Sequence, residues 1–164
     1  MPATRPLFSI SATVAADWID YNGHMSVPYY THLFDRCAER FYEYLGLGRT
    51  SAQSGRGSLF SLEHHTTFLR ELMEGSPLTI NLRLLDWDEK RLHYFMSMIN
   101  ADTGVVCATS EQLAIHVNTK ERTSEPLPSD VIAKIVELWP DDTVEAPKEA
   151  GHIIRIRRKR PPQD

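Results

Sequence analysis

Apolar residues recur at steps of three and four positions along one stretch of the chain, beginning just after Pro28. The members of this stripe are Tyr30, Leu33, Phe34, Cys37, Phe41, Tyr44 and Leu45. Such spacing predicts an amphipathic helix of about five turns. Pro28 suits its first turn, where a missing N–H costs nothing, and Gly46 marks its end.

The remaining apolar positions follow strand patterns. Residues 7–17 alternate well enough to predict a first strand. After a polar loop at residues 49–57, the chain is strand-like as far as residue 118, and turns containing Gly75, Asp88 and Gly104 divide it. The four predicted strands are residues 58–72, 78–88, 91–101 and 105–118. Because the connections are short, we expect these strands to pair as antiparallel hairpins.

The order of elements predicts an α+β fold. One long helix cannot cover both faces of a five-stranded antiparallel sheet, so the sheet is expected to wrap around it. We find no repeat or linker and expect a single domain over residues 1–164, with a core at about 5–120. Residues 119–128 are expected to be irregular, and residues 129–138 form a short helix that Ser129 caps. A long sheet edge must be covered, which predicts a homodimer or a homotetramer.

Composition narrows the class of protein. The 164 residues are 41% hydrophobic and 24% charged, as in a soluble globular protein. No segment reaches the roughly 18 apolar residues that span a bilayer, and no secretory signal begins the chain. With only Cys37 and Cys107, we expect reduced thiols and a cytoplasmic location. The net charge of −4 argues against nucleic acid as a partner.

The chain places a carboxylate just before the predicted long helix, in the segment DYNGHMSVPYY at residues 20–30. Free backbone N–H groups at a helix start favour negative charge. They would stabilise the oxyanion that develops on a thioester carbonyl. Asp20 could attack that carbonyl or activate a water, and Gly23 leaves room for a ligand. The alternative is that Asp20 only stabilises the turn.

This D-x-x-G element, ahead of a Tyr-rich helix and four long strands, resembles the 4-hydroxybenzoyl-CoA thioesterase branch of the hot-dog superfamily. The resemblance covers about residues 8–120. It implies a hot-dog fold and active sites between subunits, with coenzyme A as the acyl carrier and no metal or other cofactor. It also implies that Asp20 is the catalytic carboxylate and that the Val27 amide stabilises the oxyanion.

A narrower resemblance rests on four segments: DYNGHM, LEHHTTFLRE, LLDWDEKRLHYF and GHIIRIRRK. They look like the thioesterases of carnitine breakdown, which act on betainyl-CoA. That group usually has Asn where this chain has Ser26, a residue that also caps helices. The expected activity is therefore hydrolysis of a short or polar acyl-CoA, with betainyl-CoA as the leading substrate.

Further candidates surround the proposed carboxylate. Gly23 and His24 are placed beside the reacting group, and His24 either touches the ligand or bonds the backbone. Asn22, Tyr29 and Tyr30 are expected to contact substrate.

Glu63 and His65 share one face of a strand, whereas His64 faces the other way. Either residue could approach the thioester of a neighbouring subunit, or the pair could simply be polar residues at the dimer seam. If the acyl group carries a trimethylammonium, Glu63 and aromatic faces could hold it. The available rings are those of Trp18, Tyr29, Tyr30 and Trp87.

Cations are expected to bind the phosphates of coenzyme A. Arg91, Arg56 and the basic tail at residues 155–160 are the candidates, although that tail could equally be a solvated end. No histidine pair or Cys/His cluster has the spacing of metal ligands, so no metal is expected.

Two other functions remain open. A hot-dog hydratase would use an Asp and a His around a D-x-N-P-x-H element, which DYNGH partly imitates. Here His24 follows Asp20 by four positions rather than five, and Gly23 replaces the Pro. The second alternative is a module that binds acyl-CoA without turnover.

Overall fold

A computed structural model describes residues 8–138 and 146–154 of the chain. The basic tail at residues 155–160 lies outside these described residues. The described elements begin with β1 (Phe8–Thr13), a turn of 3-10 helix (Ala16–Trp18), α1 (Val27–Leu45) and α2 (Arg49–Ser54). They continue with β2 (Ser58–Phe68), β3 (Pro77–Trp87), β4 (Arg91–Asn100), β5 (Val106–Asn118), β6 (Thr123–Ser124) and α3 (Ser129–Leu138). None of these helices is long and apolar enough to cross a bilayer.

The strands form one antiparallel sheet in the order β1-β3-β4-β5-β2, and the two-residue β6 pairs with β5. The sheet curls around α1. The predicted α+β hot-dog fold, with one long helix against an antiparallel sheet, is thus confirmed.

Several details differ from the sequence-based expectation. The polar stretch 49–57 contains α2, which lies between Gly48 and a left-handed Gly55. The first strand ends at Thr13 instead of continuing to residue 17, because the chain then turns into a 3-10 helix. The irregular segment 119–128 contributes the short β6 to the sheet.

The apolar stripe of α1 supplies one side of the core. Leu33, Phe34, Cys37 and Phe41 are buried on it, and the helix ends where Gly46 adopts the left-handed conformation (φ 84°). Tyr44 was predicted to lie on the stripe, but its side chain is exposed and only its ring edge approaches β1. The other side of the core comes from alternate residues of β3 and β4, namely Leu78, Ile80, Leu82, Leu92, Tyr94, Met96 and Met98.

The strand β2 forms one edge of the sheet. It pairs with β5 on one side, and no described strand pairs with its other side. Large apolar side chains on this strand remain exposed, at Phe60, Leu62 and Phe68. The register of β2 shifts between Ser61 and Glu63, which marks a bulge.

Candidate active site

The predicted catalytic segment forms a tight turn between the 3-10 helix and α1. Ile19 and Met25 pair across it. Inside this bridge, the Asp20 N–H donates to the His24 carbonyl at 3.0 Å, and the Gly23 N–H donates to the Asp20 carbonyl at 3.0 Å. Gly23 has φ 82°, a conformation that disfavours any side chain. A Cβ built at Gly23 would meet nothing within 4 Å, so the turn leaves open space beside it.

Asp20 is half-buried at the start of this turn. Its Oδ1 accepts a hydrogen bond from the Asn22 N–H at 2.7 Å, so one carboxylate oxygen stabilises the turn. Within residues 8–138 and 146–154, Oδ2 has no hydrogen-bond donor. The structural and catalytic roles that the sequence left open can therefore be filled by different oxygens of one carboxylate.

The start of α1 presents one backbone donor. Ser26 is the N-cap residue, but its side chain makes no capping bond, and its carbonyl accepts from the Tyr29 N–H at 3.1 Å. Pro28 has no N–H to offer. The Val27 N–H has no acceptor in the part of the chain that the structure describes, and Val27 is 57% exposed. The amide that the resemblance identifies as the oxyanion donor is therefore available to a ligand.

A cavity of about 800 Å³ opens at this helix start. Three of the predicted site residues, His24, Val27 and Tyr30, line it. Five further lining residues were not predicted to be part of the site: Met25, Phe68, Leu69, Arg70 and Glu71. The cavity therefore joins the turn before α1 to the chain that follows β2.

Tyr30 connects these two parts of the cavity. Its ring meets the ring of Phe68 edge-on, with centroids 5.1 Å apart. Burial is the main reason why the pKa of its phenol is raised, and the carboxylates of Glu71 and Asp20 raise it further.

Other predicted residues of this segment lie outside the cavity wall. Tyr29 stacks on Trp18, with centroids 5.3 Å apart and an interplanar angle of 17°. Asn22 is exposed, and its backbone N–H is bound to Asp20. Asp20 itself is not among the residues that line the cavity, but its N–H donates to the carbonyl of His24, which does line it.

A second cavity, of about 740 Å³, contains the predicted residues Glu63, His65 and Arg91. Most of its β4 and β5 residues, namely Arg91, His93, Glu111 and Leu113, alternate with the helix-facing Tyr94 and Gln112, so these side chains lie on the face of the sheet away from α1. Within one chain, these three residues are therefore not brought to the turn that contains Asp20.

Two of the predicted phosphate-binding cations, Arg91 and Arg56, already have partners. The Arg91 Nε donates to the Asp88 Oδ2 at 2.8 Å, and this bond is the main reason why the pKa of Asp88 is lowered to about 2. The Arg56 guanidinium binds both carboxylate oxygens of Asp130. A phosphate would have to compete with these carboxylates. Over the residues that the structure describes, no cluster of three His, Cys, Asp or Glu could hold a metal ion.

Comparison with known proteins places this geometry in context. The sequence model of the thioesterase-like superfamily matches residues 14–135. A betainyl-CoA thioesterase from Pseudomonas aeruginosa is 32% identical over 93% of this chain and 97% of its own length. An L-carnitine dehydrogenase/betainyl-CoA thioesterase from Rhizobium meliloti is 34% identical over 96% of this chain, which spans only 32% of that longer relative.

A solved structure is also similar to this chain. A Staphylococcus aureus protein, determined in complex with CoA, superposes with a TM-score of 0.85 and 32% identity. The match covers 92% of this chain and 95% of that protein.

Proposed function

We propose that this chain, which belongs to the thioesterase-like superfamily, hydrolyses acyl-CoA thioesters at the cavity beside the start of α1. One observation carries the proposal. The Val27 N–H has no acceptor among the described residues, and the turn just before it contains the Asp20 carboxylate. This is the arrangement that thioester hydrolysis requires: a donor for the oxyanion and a base or nucleophile next to it.

In the proposed reaction, the thioester carbonyl oxygen accepts the Val27 N–H, and the helix dipole adds to this stabilisation. Asp20 removes a proton from a water whose oxygen attacks the carbonyl carbon. The tetrahedral intermediate then collapses, the C–S bond breaks, and the sulfur leaves as the CoA thiolate. In the alternative route, an Asp20 oxygen attacks first, and water hydrolyses the resulting anhydride. Both routes begin from the same geometry and yield the free acid and CoA.

Betainyl-CoA is the leading substrate within this proposal. The Pseudomonas aeruginosa relative that matches this chain almost end to end is named for that ester, and so is the longer Rhizobium meliloti relative. The betainyl group is short and cationic, so its recognition needs negative charge and aromatic surface near the reacting carbonyl. Tyr30 and Phe68 supply such surface in the cavity.

The proposal includes a homodimer, or a homotetramer built from such dimers, with active sites between subunits. The unpaired edge of β2 and the exposed Phe60 and Leu62 support it. Phe68, at the end of the same strand, also lines the cavity at the start of α1. A partner that covers β2 would therefore lie beside the reacting group.

Replacement of Asp20 by Asn tests the proposed reaction. The amide keeps the shape of the carboxylate and can still accept from the Asn22 N–H, but it can neither take a proton from water nor attack as an anion. We expect kcat for betainyl-CoA to fall by about three orders of magnitude, measured as thiol release, with an unchanged circular dichroism spectrum.

Asp17→Asn is the matched control, because Asp17 is an exposed carboxylate in the preceding 3-10 helix. This variant should retain the wild-type rate. An unchanged rate in Asp20→Asn would remove Asp20 from the mechanism. Hydration of crotonyl-CoA without thiol release would point to a hydratase instead.

A further inference from the structure

We propose that Glu71 is the residue that selects a cationic acyl group, with the rings of Tyr30 and Phe68 completing its binding site. This inference rests on the proposed thioesterase function and adds a specificity residue to it. The sequence pattern favoured Glu63 for this role, but Glu63 lies in the cavity on the face of the sheet away from α1.

The residues that line the cavity at the start of α1 suit a cationic acyl group. Glu71 is the carboxylate among its lining residues, and the edge-to-face pair of Tyr30 and Phe68 forms part of the same wall. A quaternary ammonium has no N–H to donate. It is therefore recognised by negative charge and by the faces of aromatic rings.

The Glu71 carboxylate is available to a ligand. In the described part of the chain, it has no hydrogen bond or ion pair, and it shares the cavity wall with Tyr30. The neighbouring Arg70 also lines the cavity, but among the described residues it forms no ion pair with Glu71, and its Nη1 donates to the Leu69 carbonyl at 2.7 Å. By contrast, Glu111 in the other cavity binds His93 and the Gly151 N–H.

The backbone fixes the position of Glu71 relative to the turn before Val27. The Met25 N–H donates to the Leu72 carbonyl at 2.8 Å, so the residue after Glu71 is fixed against the turn, two positions before Val27. In a betainyl group, one methylene separates the carbonyl carbon from the nitrogen. Val27 and Glu71 line the same cavity, so an acyl group whose oxygen accepts the Val27 N–H can place its cation in the cavity that contains Glu71.

The decisive measurement compares two thioesters of the same shape and different charge. In tert-butylacetyl-CoA a carbon replaces the nitrogen of betainyl-CoA. The quaternary nitrogen also activates the betainyl carbonyl inductively, and this effect is the same in every variant, so the change in the ratio of the kcat/KM values between wild type and a variant reports recognition of the charge. We expect wild type to favour betainyl-CoA by on the order of tenfold or more. Glu71→Gln should reduce that ratio by about tenfold relative to wild type and leave the rate on the neutral ester within about twofold.

Two control variants match the change in net charge. Glu74→Gln alters an exposed carboxylate that does not line the cavity, and it should keep the wild-type ratio. Glu63→Gln should also keep it. Loss of the ratio in Glu63→Gln, or an equal loss of both rates in Glu71→Gln, would overturn the assignment to Glu71.

Failure of this inference is separable from failure of the proposed function. If wild type hydrolyses both esters equally, and Asp20→Asn abolishes both activities, charge selection by Glu71 is wrong while the thioesterase proposal stands. If wild type releases no thiol from either ester or from a broad panel of acyl-CoA esters, the thioesterase proposal fails first.

Discussion

The hydroxyl of Tyr94 lies in the core with a partner on each side. It donates to the Gln112 Oε1 at 2.9 Å, and its oxygen lies 2.5 Å from the Tyr42 hydroxyl. Because the Tyr94 proton goes to Gln112, Tyr42 must be the donor to Tyr94. The Gln112 Nε2 continues the chain to the Ser110 Oγ at 3.1 Å. These bonds link α1, β4 and β5 through buried groups.

Removing the middle hydroxyl of this chain should be more damaging than removing the first. Tyr94→Phe leaves a buried donor on Tyr42 and a buried acceptor on Gln112 without partners. We expect it to lower the free energy of unfolding by about 2–4 kcal/mol. Tyr42→Phe leaves only one vacant lone pair on Tyr94, so we expect a loss of about 1 kcal/mol. Urea denaturation of both variants measures the difference, and equal losses would contradict the assigned direction of donation.

The pH dependence provides a second readout of the same residues. Burial raises the pKa of Tyr42 to about 12, and burial also raises the pKa of Tyr94. The folded protein therefore keeps protons that the unfolded chain loses above its tyrosine pKa of 10.0. As a result, the free energy of unfolding should fall as pH rises from 10 towards 12. Tyr42→Phe should fall less steeply than wild type over this interval.

Some residues of the candidate site could be predicted from the sequence, and others could not. Asp20, Gly23, His24 and Val27 belong to one short segment, so a local motif was enough to predict them. Glu71 lies more than forty positions further along. It reaches the cavity only because Leu72 accepts a hydrogen bond from Met25, a long-range contact with no local pattern. The segment LEHHTTFLRE contains Phe68, Arg70 and Glu71, but the resemblance did not say which of them faces the ligand.

At the scale of elements, strong periodicity and short turns made the long elements predictable. The predicted boundaries of α1 and of β3, β4 and β5 agree with the structure to within a residue or two. The six-residue α2 was missed because so short a helix has no complete apolar stripe. The strand β2 ends earlier than predicted because Leu69 and Arg70 instead donate their N–H groups to the Cys107 carbonyl.

The C-terminal segment at residues 146–154 has no apolar periodicity, and its position was not predicted. It lies against the face of the sheet away from α1, where Pro147 and Phe95 line the same small cavity. Its attachment is polar. The Gly151 N–H donates to the Glu111 Oε2 at 2.7 Å, while the other oxygen of that carboxylate lies 2.8 Å from the His93 Nε2.

Loss of the Glu111 carboxylate should loosen this segment without unfolding the sheet. Glu111→Ala removes the acceptor for the Gly151 N–H, a charge-assisted bond. We expect trypsin to cleave after Lys148 about tenfold faster under native conditions, followed by mass spectrometry. Glu121→Ala is the control, because Glu121 is exposed in the loop after β5. Equal cleavage rates in wild type and Glu111→Ala would show that other contacts hold the segment.

For the molecule as a whole, the prominent surface feature is the sheet edge formed by β2, which no other described strand covers. Eleven residues of backbone form this edge, and Leu62 on it is 54% exposed. An exposed apolar edge strand favours association with another chain. The same strand leads into Phe68 and the candidate active site, so association there and catalysis are expected to depend on each other.

Introducing a positive charge at the edge tests this dependence. In a homodimer that pairs through β2, Leu62→Lys brings two like charges near the two-fold axis and removes two apolar side chains from the interface. We expect light scattering to report the mass of a single chain, and we expect kcat/KM for betainyl-CoA to fall at least tenfold. Val136→Lys changes a similarly exposed apolar residue on α3 and should affect neither property. An assembly that persists in Leu62→Lys would move the interface away from β2. A fully active single chain would mean that one copy of the Asp20 turn, the Val27 amide and the Glu71 cavity is sufficient for catalysis.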